Sequence, residues 1–458
     1  MSAVVETGAP AGALPLVARA QAGRPFAWAN GRAIAVGEFL ADVAAAAATL
    51  PAAAAAVNLC EDRYAFLVAF CALLCRGQAN LLPPSRAPHA VDEALATSAG
   101  SQVVGDTALQ PAPARYHRLP LPGGNGVRAS VPAIPGSQLA VVGFTSGSTG
   151  QPRANRKTWQ SLHASSACNI AALEAVLALA PDEVAHVVAT VPPQHMYGIE
   201  LTILLPLLGP FAVHGGRPLF PADVADALAS VPAPRVLVTT PVHLRALLRD
   251  GVRLPPLAAI TSATAPLPPE LAAAAEQHCG APLLELFGST ETCVIAQRRS
   301  ARGEDWQAYP GIGVRPQPDG TLVEAAWFEG PVSLPDVIEP LPGNRFRLRG
   351  RQSDLVEIAG KRASLADLTR RVLALGGVEY AVVVQLDEAD SFGVRRIAAL
   401  VVAPSRSEAD LLAELRGAVD AAFLPRPLRR VAALPRNETG KLPRAALLAA
   451  LAPGMNAR

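Results

Sequence analysis

From residue 139 onward, short apolar runs alternate with amphipathic stretches, and this alternation limits the fold more than any other feature of the sequence. Apolar runs with the length of buried strands occupy residues 139–144, 184–191, 235–240, 258–261 and 282–287. The stretches between them have helical spacing, and residues 268–278 carry Pro in the first turn and are followed by Gly280. Such alternation predicts an α/β fold with a parallel or mixed sheet covered by helices.

The two ends of the chain differ from this central region. Residues 1–135 predict helices mixed with short strands. Near residue 352 a compact order of strand, helix, two strands and helix begins. We therefore predict a large N-terminal domain at residues 1–350, with mixed sheets covered by helices, and a small α+β C-terminal domain at residues 351–458.

Charge and hydropathy exclude several classes of function. Charged residues make up 17% of the 458 residues and the net charge is +2, so no overall field favours nucleic acid or a membrane surface. No apolar run reaches the ~20 residues of a membrane span, and residues 1–16 lack the basic start of a signal peptide. The six cysteines show no Cys-x-x-Cys spacing, which favours a reducing cytoplasm.

A loop rich in Gly, Ser and Thr follows the predicted strand 139–144. Gly147 and Gly150 let the backbone turn sharply, and the hydroxyl groups come from Thr145, Ser146, Ser148 and Thr149. Many neutral donors without bulk suit a polyphosphate. The common nucleotide loop needs Lys after its last Gly, whereas Gln, Pro and Arg153 follow here, ahead of a polar, helix-compatible segment. Taken alone, the loop also fits an exposed linker.

A second polar stretch follows the predicted strand 282–287. Gly288 allows a tight exit, and Thr290 and Glu291 then lie at the carboxyl end of the strand, where open α/β sheets bind ligands. A carboxylate beside a phosphate loop suits Mg²⁺, which takes one or two carboxylates together with phosphate oxygens. The same residues also fit the start of a helix, with Ser289 or Thr290 as its cap.

Two further stretches lie in the last quarter of the chain. Residues 350–362 read as a turn between strands at the predicted domain boundary. In residues 434–444, Lys441 follows Gly440 on a turn, which is a flexible place for a long cation. Alone, each stretch is also compatible with an ordinary surface turn.

In this order, the four stretches resemble motifs of the adenylate-forming superfamily, which includes acyl-CoA synthetases, peptide-synthetase adenylation domains and luciferases. Residues 145–153 resemble its Thr-Ser-Gly-Ser/Thr-Thr-Gly-x-Pro-Lys loop, and residues 287–291 resemble its Tyr-Gly-x-Thr-Glu motif. Residues 350–362 resemble its hinge, and residues 435–444 resemble its Pro-x-Thr-x-x-Gly-Lys-x-x-Arg end motif. The resemblance covers about residues 139–444.

The resemblance implies a reaction and a set of site residues. A carboxylic acid attacks the α-phosphorus of ATP and becomes an acyl-adenylate, with release of pyrophosphate and with Mg²⁺ held by Glu291. The implied ATP-binding residues are Thr145, Ser146, Gly147, Ser148, Thr149, Gly150, Arg153, Thr264, Ala265, Leu286, Phe287, Gly288, Asp336 and Arg351. The implied catalytic residues are Lys441, Thr290, Glu291 and His195. The small domain is then expected to be mobile and to turn about Ser353 and Asp354.

Several positions depart from the superfamily pattern. Arg153 replaces the Lys of the loop, which keeps the charge and changes its geometry. Ser353 stands at the hinge position that is usually Asp or Lys, and Glu357 replaces a Lys. Asp336 follows Pro335 where the motif has Gly. His195 resembles the residue beside the substrate carboxylate, although a loop histidine with one backbone bond fits the same sequence.

The resemblance also implies an acceptor thiol, from coenzyme A or from the phosphopantetheine of an acyl carrier protein. A basic strip with one acidic residue, Glu438, could meet either, or it is a solvated face; it contains Arg426, Arg429, Arg430, Arg436, Lys441 and Arg444. Residues 424–427 and 434–441 resemble small ligases found with bacterial aryl polyene or fatty-acid-like synthesis genes, which favours an aryl or acyl acid. A catalytically degenerate relative that binds ATP or an acyl-adenylate, as a partner or sensor protein, is the alternative.

Overall fold

The computed structural model describes residues 12–29, 31–120, 130–146, 152–318, 320–351, 355–358, 361–389, 395–437 and 440–452. The chain forms two compact units. The first contains residues up to 304 together with 309–311 and 325–329, and the second contains 305–308, 312–324 and the chain from 330 onward. The predicted boundary at residue 350 falls inside the second unit and stays a prediction, because compactness does not locate a hinge.

The first unit contains a six-stranded sheet. Its order is Pro152–Thr158, Leu139–Ser146, Ala79–Leu82, Ala55–Asn58, Gln102–Gly105 and Tyr116–Arg118. All neighbours are parallel except the first two, which form an antiparallel hairpin. A separate antiparallel pair joins Ala13–Pro15 to Ala133–Pro135. The inner strands Ala79–Leu82, Ala55–Asn58 and Gln102–Gly105 are short and buried throughout, as expected for strands that are covered on both faces.

A second sheet of the same unit carries the alternating strands that the sequence predicts. Its order is Cys293–Arg298, Leu283–Ser289, Ala259–Ser262, Arg235–Thr239, Ala185–Ala189, Phe211–His214, Pro25–Ala29 and Arg32–Ala35. The inner neighbours are parallel, and the outermost strand at each end is antiparallel to its neighbour. The predicted α/β fold with mixed sheets is confirmed.

Helices cover these sheets, and two of them lie between the sheets. The α-helices are Val36–Thr49, Arg63–Cys75, Pro88–Ala96, Trp159–Leu177, Met196–Gly198, Leu205–Leu208, Pro221–Ala229, Pro241–Asp250 and Pro269–Cys279, with a π-helix at Ile199–Leu204. Helices Arg63–Cys75 and Trp159–Leu177 each contact strands of both sheets. Because it is enclosed in this way, Arg63–Cys75 is buried along almost its whole length.

The second unit is built from antiparallel strand pairs with helices on them, except that Leu428–Arg430 pairs parallel to Arg395–Val402. Its strands are Trp306–Ala308, Gly313–Gln317, Gly320–Glu324, Val332–Leu334, Asp336–Leu341, Arg345–Arg351, Leu355–Ile358, Lys361–Ser364, Tyr380–Ala389, Arg395–Val402 and Leu428–Arg430. Its helices are Leu365–Leu373, Glu408–Ala418 and Arg444–Leu451, with a 3₁₀ turn at Ala421–Phe423. Within the described residues, no helix of either unit combines the length and apolarity needed to cross a bilayer.

The structure decides two local points that the sequence left open. The segment after the Gly- and Ser-rich loop is the strand Pro152–Thr158, not helix, because it pairs with Leu139–Ser146 along its length. The helix begins only at Trp159, where the Thr158 hydroxyl caps it by accepting from Ser161 N at 3.1 Å. The residues around Glu291 form the turn of a hairpin rather than a helix start, since Cys293–Arg298 returns antiparallel to Leu283–Ser289.

One buried carboxylate joins the strands at the end of the second sheet. Glu285 is only 4% exposed, and its Oε2 accepts from Arg298 Nε at 2.6 Å and from Ser300 Oγ at 2.5 Å. Its Oε1 accepts from Leu267 N at 3.2 Å. Both oxygens are therefore satisfied, and removal of the carboxylate leaves the largely buried Arg298 without its counter-charge.

We expect Glu285→Ala to lower the free energy of unfolding by about 3 kcal/mol, because breaking a buried ion pair leaves a desolvated charge. Urea unfolding followed by tryptophan fluorescence measures this. Glu339→Ala is the matched control, because the Glu339–Arg349 pair has side chains that are 46% and 49% exposed and should matter little. Equal effects of the two substitutions would contradict this assignment.

Candidate active site

The hairpin that carries the predicted phosphate loop fixes the position of Arg153. Thr145 and Arg153 are directly opposite each other in the hairpin. Asn155, two residues further along, donates from Nδ2 to Thr145 Oγ1 at 3.3 Å, and Arg153 itself is exposed. The predicted loop residues Gly147, Ser148, Thr149 and Gly150 and the side chain of Ser146 lie outside the described residues. The hairpin thus brings the Arg153 cation to the start of this loop.

The turn between the last two strands of the second sheet carries Thr290 and Glu291. Gly288 permits the tight hairpin, since a Cβ there would lie 2.2 Å from Cys293 O. Ser289 N donates to Thr292 Oγ1 at 3.2 Å, and Thr292 N donates to Ser289 Oγ at the same distance. These reciprocal bonds hold the turn and present Thr290 and Glu291 at the carboxyl end of the strand, as predicted.

The structure brings this turn against the phosphate-loop hairpin. A Cβ on Gly143 would lie 2.6 Å from Thr290 Cγ2 and 3.3 Å from Met196 Cε. The absence of a side chain at Gly143 therefore lets the main chain of this strand lie close to the turn. Lys157, from the second strand of the hairpin, donates from Nζ to the main-chain oxygen of Glu291. The sequence places these motifs 134 residues apart, and the contact joins them into one site.

The carboxylate of Glu291 suits a cation. It is half-buried, and no described residue gives it a hydrogen bond or an ion pair. No group of three or more His, Cys, Asp or Glu side chains that could hold a metal ion occurs among the described residues. A metal here would therefore rely on phosphate and water oxygens besides Glu291, which is how Mg²⁺ is usually bound with nucleotides.

The segments expected to contact adenine are neighbours. Ser262 and Glu285 are paired in register on parallel strands, so Thr264 and Ala265 leave the sheet beside Leu286 and Phe287. Thr264 has a φ of +78°, an uncommon conformation for a β-branched residue. Thr264, Ala265 and Phe287 are partly exposed, whereas Leu286 is buried. The arrangement offers an apolar strip and open main-chain groups at one edge of the sheet.

His195 lies at the start of the helical stretch that follows the strand Ala185–Ala189. It is half-buried, its main-chain N donates to Pro192 O at 3.3 Å, and its O accepts from Ile199 N at 2.7 Å. The neighbouring Tyr197 hydroxyl lies 2.8 Å from Thr261 Oγ1, and burial raises the Tyr197 pKa. His195 therefore stands at the carboxyl end of the sheet, on the same short segment as Met196 of the turn contact.

Glu200 is a residue of this site that the sequence did not indicate. It is 1% exposed and lies in the π-helix Ile199–Leu204, an element common at functional sites. Its Oε1 accepts from Ser165 Oγ at 2.8 Å and Asn169 Nδ2 at 3.0 Å, and its Oε2 accepts from Val294 N at 3.0 Å. Burial raises its pKa, and these donors and nearby Lys157 oppose that shift. No sequence spacing reveals such a network.

In the second unit, two residues expected to contact ribose are paired across strands. Asp336 lies opposite Arg351 in the antiparallel pair, and Asp336 O accepts from Thr321 Oγ1 at 2.5 Å. The side chain of Arg351 and the expected hinge residues Ser353 and Asp354 lie outside the described residues. The main-chain register alone thus brings Asp336 and Arg351 together.

Lys441 stands on a turn held by its own hydrogen bonds. Lys441 N donates to Asn437 Oδ1 at 2.9 Å, and Asn437 N donates to Lys441 O at 2.9 Å. Arg436 Nη1 donates to Gly440 O at 2.7 Å, and its guanidinium lies 5.6 Å from the centre of the Tyr380 ring. Gly440 has a φ of +78°. These bonds join the described residues on either side of 438–439, and Lys441 itself is exposed.

The chain is similar in sequence to two acid–CoA ligases. The chain is 31% identical over 308 residues to a 4-coumarate–CoA ligase of Rhodobacter capsulatus, covering 65% of this chain and 73% of the relative. It is 27% identical over 263 residues to a 3-hydroxybenzoate–CoA/4-hydroxybenzoate–CoA ligase of Thauera aromatica, covering 48% and 50%.

Among solved structures, the fold is similar to ATP-bound MatB from Rhodopseudomonas palustris, with a TM-score of 0.76 at 19% identity over 93% of this chain and 95% of that one. At that identity the likeness shows the fold alone. The AMP-binding enzyme family matches residues 38–324, which include the hairpin, His195 and the Glu291 turn. The chain belongs to the AMP-binding enzyme family.

Proposed function

We propose that the protein activates an aryl or acyl carboxylic acid with ATP and transfers it to a thiol. The observation that carries the proposal is the contact between the phosphate-loop hairpin and the turn of Glu291, made through Gly143 and Lys157. That contact joins the hairpin, which carries Thr145 at the start of the predicted phosphate loop and the exposed Arg153, to the turn with the Glu291 carboxylate, to which no described residue is paired. This set of groups suits MgATP better than any other common ligand.

Each part has a definite task in this chemistry. The loop that begins at Thr145 holds the β- and γ-phosphates, and Glu291 holds Mg²⁺, which neutralises phosphate charge when bound. The acid lies beside His195 so that its oxygen faces the α-phosphorus. Lys441 stabilises the charge that gathers on phosphate and carboxylate oxygens as the new P–O bond forms and the bond to pyrophosphate breaks.

The two relatives favour an aromatic acid and a CoA-type acceptor, since they are named a 4-coumarate–CoA ligase and a 3-hydroxybenzoate–CoA/4-hydroxybenzoate–CoA ligase. An amino acid is disfavoured, because the segment 190–200 has no Asp that could pair with an α-ammonium group. The thiol belongs to phosphopantetheine, carried either by coenzyme A or by an acyl carrier protein.

A screen of acids tests the proposed reaction. We expect pyrophosphate release in the presence of MgATP to depend on the acid, with hydroxycinnamic or hydroxybenzoic acids giving the highest kcat/KM and free amino acids none. Isothermal titration calorimetry measures ATP binding in parallel. ATP binding without release for any acid at millimolar concentration would favour the degenerate binding protein, to which the departure at Arg153 points.

The role of Lys441 is tested by separating the two half-reactions. We expect Lys441→Ala to lower acid-dependent pyrophosphate release by about 100-fold or more, because a cation on the developing charge is lost. Thioester formation from supplied acyl-adenylate should remain. Arg370→Ala, at a side chain that is 72% exposed in the same unit, is the control. An adenylation rate that survives Lys441→Ala would contradict the role.

The basic strip bears on the acceptor. Arg429 donates to Ala452 O at 3.0 Å and Arg436 to Gly440 O, whereas Arg426 and Arg430 are exposed. We expect Arg426→Glu/Arg430→Glu to raise the KM of the true acceptor about fivefold and to leave pyrophosphate release unchanged, because both acceptors are anionic. Coenzyme A and a phosphopantetheinylated carrier protein are compared directly. An unchanged KM for both would show that the strip is only a solvated face.

A further inference from the structure

Lys157 is a buried cation at the junction between the phosphate-loop hairpin and the Glu291 turn. Its residue is 9% exposed, although it lies on a strand whose neighbours Arg156 and Arg153 are open to solvent. The hairpin register shifts directly after it, between Lys157 and Thr158. Irregularities of this kind re-aim a side chain and are frequent beside active sites. The side chain of Lys157 is therefore buried, whereas those of Arg153 and Arg156 face solvent.

The Lys157 ammonium lies near a main-chain carbonyl, an aromatic ring and a carboxylate. Its Nζ donates to the main-chain oxygen of Glu291 and lies 5.9 Å from the centre of the Phe328 ring. The ammonium is also close enough to the buried carboxylate of Glu200 to oppose the rise that burial causes in the pKa of that carboxylate. Burial of a lysine is costly unless its charge and donors are satisfied, and here a carbonyl, a ring face and a carboxylate share that task.

The hydrogen bond from Lys157 reaches the turn that carries the proposed metal ligand. The main-chain oxygen of Glu291 belongs to the residue whose carboxylate is the proposed Mg²⁺ ligand, so a shift of this carbonyl shifts the carboxylate as well. Lys157 belongs to the strand that pairs with Thr145 through Arg153. One ammonium therefore connects the two parts of the site, and Gly143 allows them to approach.

We infer that Lys157 is a positioning residue, which sets the place of the Glu291 carboxylate relative to the hairpin at Thr145 and Arg153 and so sets the affinity for MgATP. This inference rests on the proposed function and adds to it a further cation, distinct from Arg153 and from Lys441. Lys157 holds the turn through its carbonyl. Its absence should weaken the use of metal and nucleotide without changing the binding of the acid.

The test compares Lys157→Met with Lys157→Arg and with Arg156→Met, a control at the exposed neighbour. We expect Lys157→Met to raise the KM for MgATP and the half-saturating Mg²⁺ concentration about tenfold, with the KM of the acid nearly unchanged. Lys157→Arg should recover much of this loss, because guanidinium also donates to a carbonyl. Arg156→Met should behave as the unsubstituted protein. Equal Mg²⁺ dependence in Lys157→Met and the unsubstituted protein would overturn the inference.

A double variant separates positioning from plain structural support. Lys157→Met alone leaves Glu200 without a nearby cation, so the variant is expected to melt at a lower temperature. Lys157→Met/Glu200→Gln removes both charges and should recover part of the lost thermal stability, because glutamine keeps one acceptor for Ser165 and Asn169 although its amide nitrogen cannot accept from Val294 N, while its KM for MgATP stays raised. Recovery of MgATP affinity together with stability would overturn the inference. ATP binding by the unsubstituted protein, measured by calorimetry, keeps this result distinct from a failure of the proposed function, in which that binding would be absent.

Discussion

The active site depends on the absence of one side chain. Gly143 lies in the strand that leads to the phosphate loop, and Thr290 and Met196 occupy the space where its Cβ would be. Any larger residue would press on the Thr290 methyl group at 2.6 Å, whereas the flexible end of Met196 at 3.3 Å could shift, so Thr290 is the contact that limits how close the hairpin comes to the Glu291 turn. The strand and the turn belong to different sheets, so this contact sets how the two sheets meet at the edge that carries the candidate site.

Glu200 also stabilises the contact between the hairpin and the Glu291 turn. Its carboxylate joins helix Trp159–Leu177, through Ser165 and Asn169, to the strand after the Glu291 turn, through Val294 N. Asn169 also accepts from the Tyr309 hydroxyl at 3.0 Å, and burial raises the pKa of Tyr309 well above its usual value. A polar network this deep in the core must be fully satisfied, and it therefore favours one arrangement of helix, π-helix and hairpin.

The sequence predicted the individual strands and motifs better than it predicted the contacts between them. Strand–helix alternation, Pro at helix starts and Gly after helix ends are local signals, and the strands of the second sheet follow them closely. The strand Pro152–Thr158 was not predicted, because its pairing partner rather than its own polar composition makes it a strand. Lys157 and Glu200 were missed for a related reason. Their roles arise from contacts between distant segments, and a charged residue gives no sign in the sequence that it is buried.

The conformation of Thr264 has a consequence for how this protein tolerates change. A β-branched residue at a φ of +78° carries strain, which costs about 1–3 kcal/mol relative to an ordinary backbone conformation. Glycine at this position would relieve the strain and stabilise the unit, yet it would remove the side chain that lies beside Leu286 and Phe287. This edge of the sheet is thus less stable than it would be with a residue that suits the backbone conformation at position 264. A sequence selected only for resistance to heat is expected to lose Thr264 early, and with it part of the segment that is proposed to face the nucleotide base.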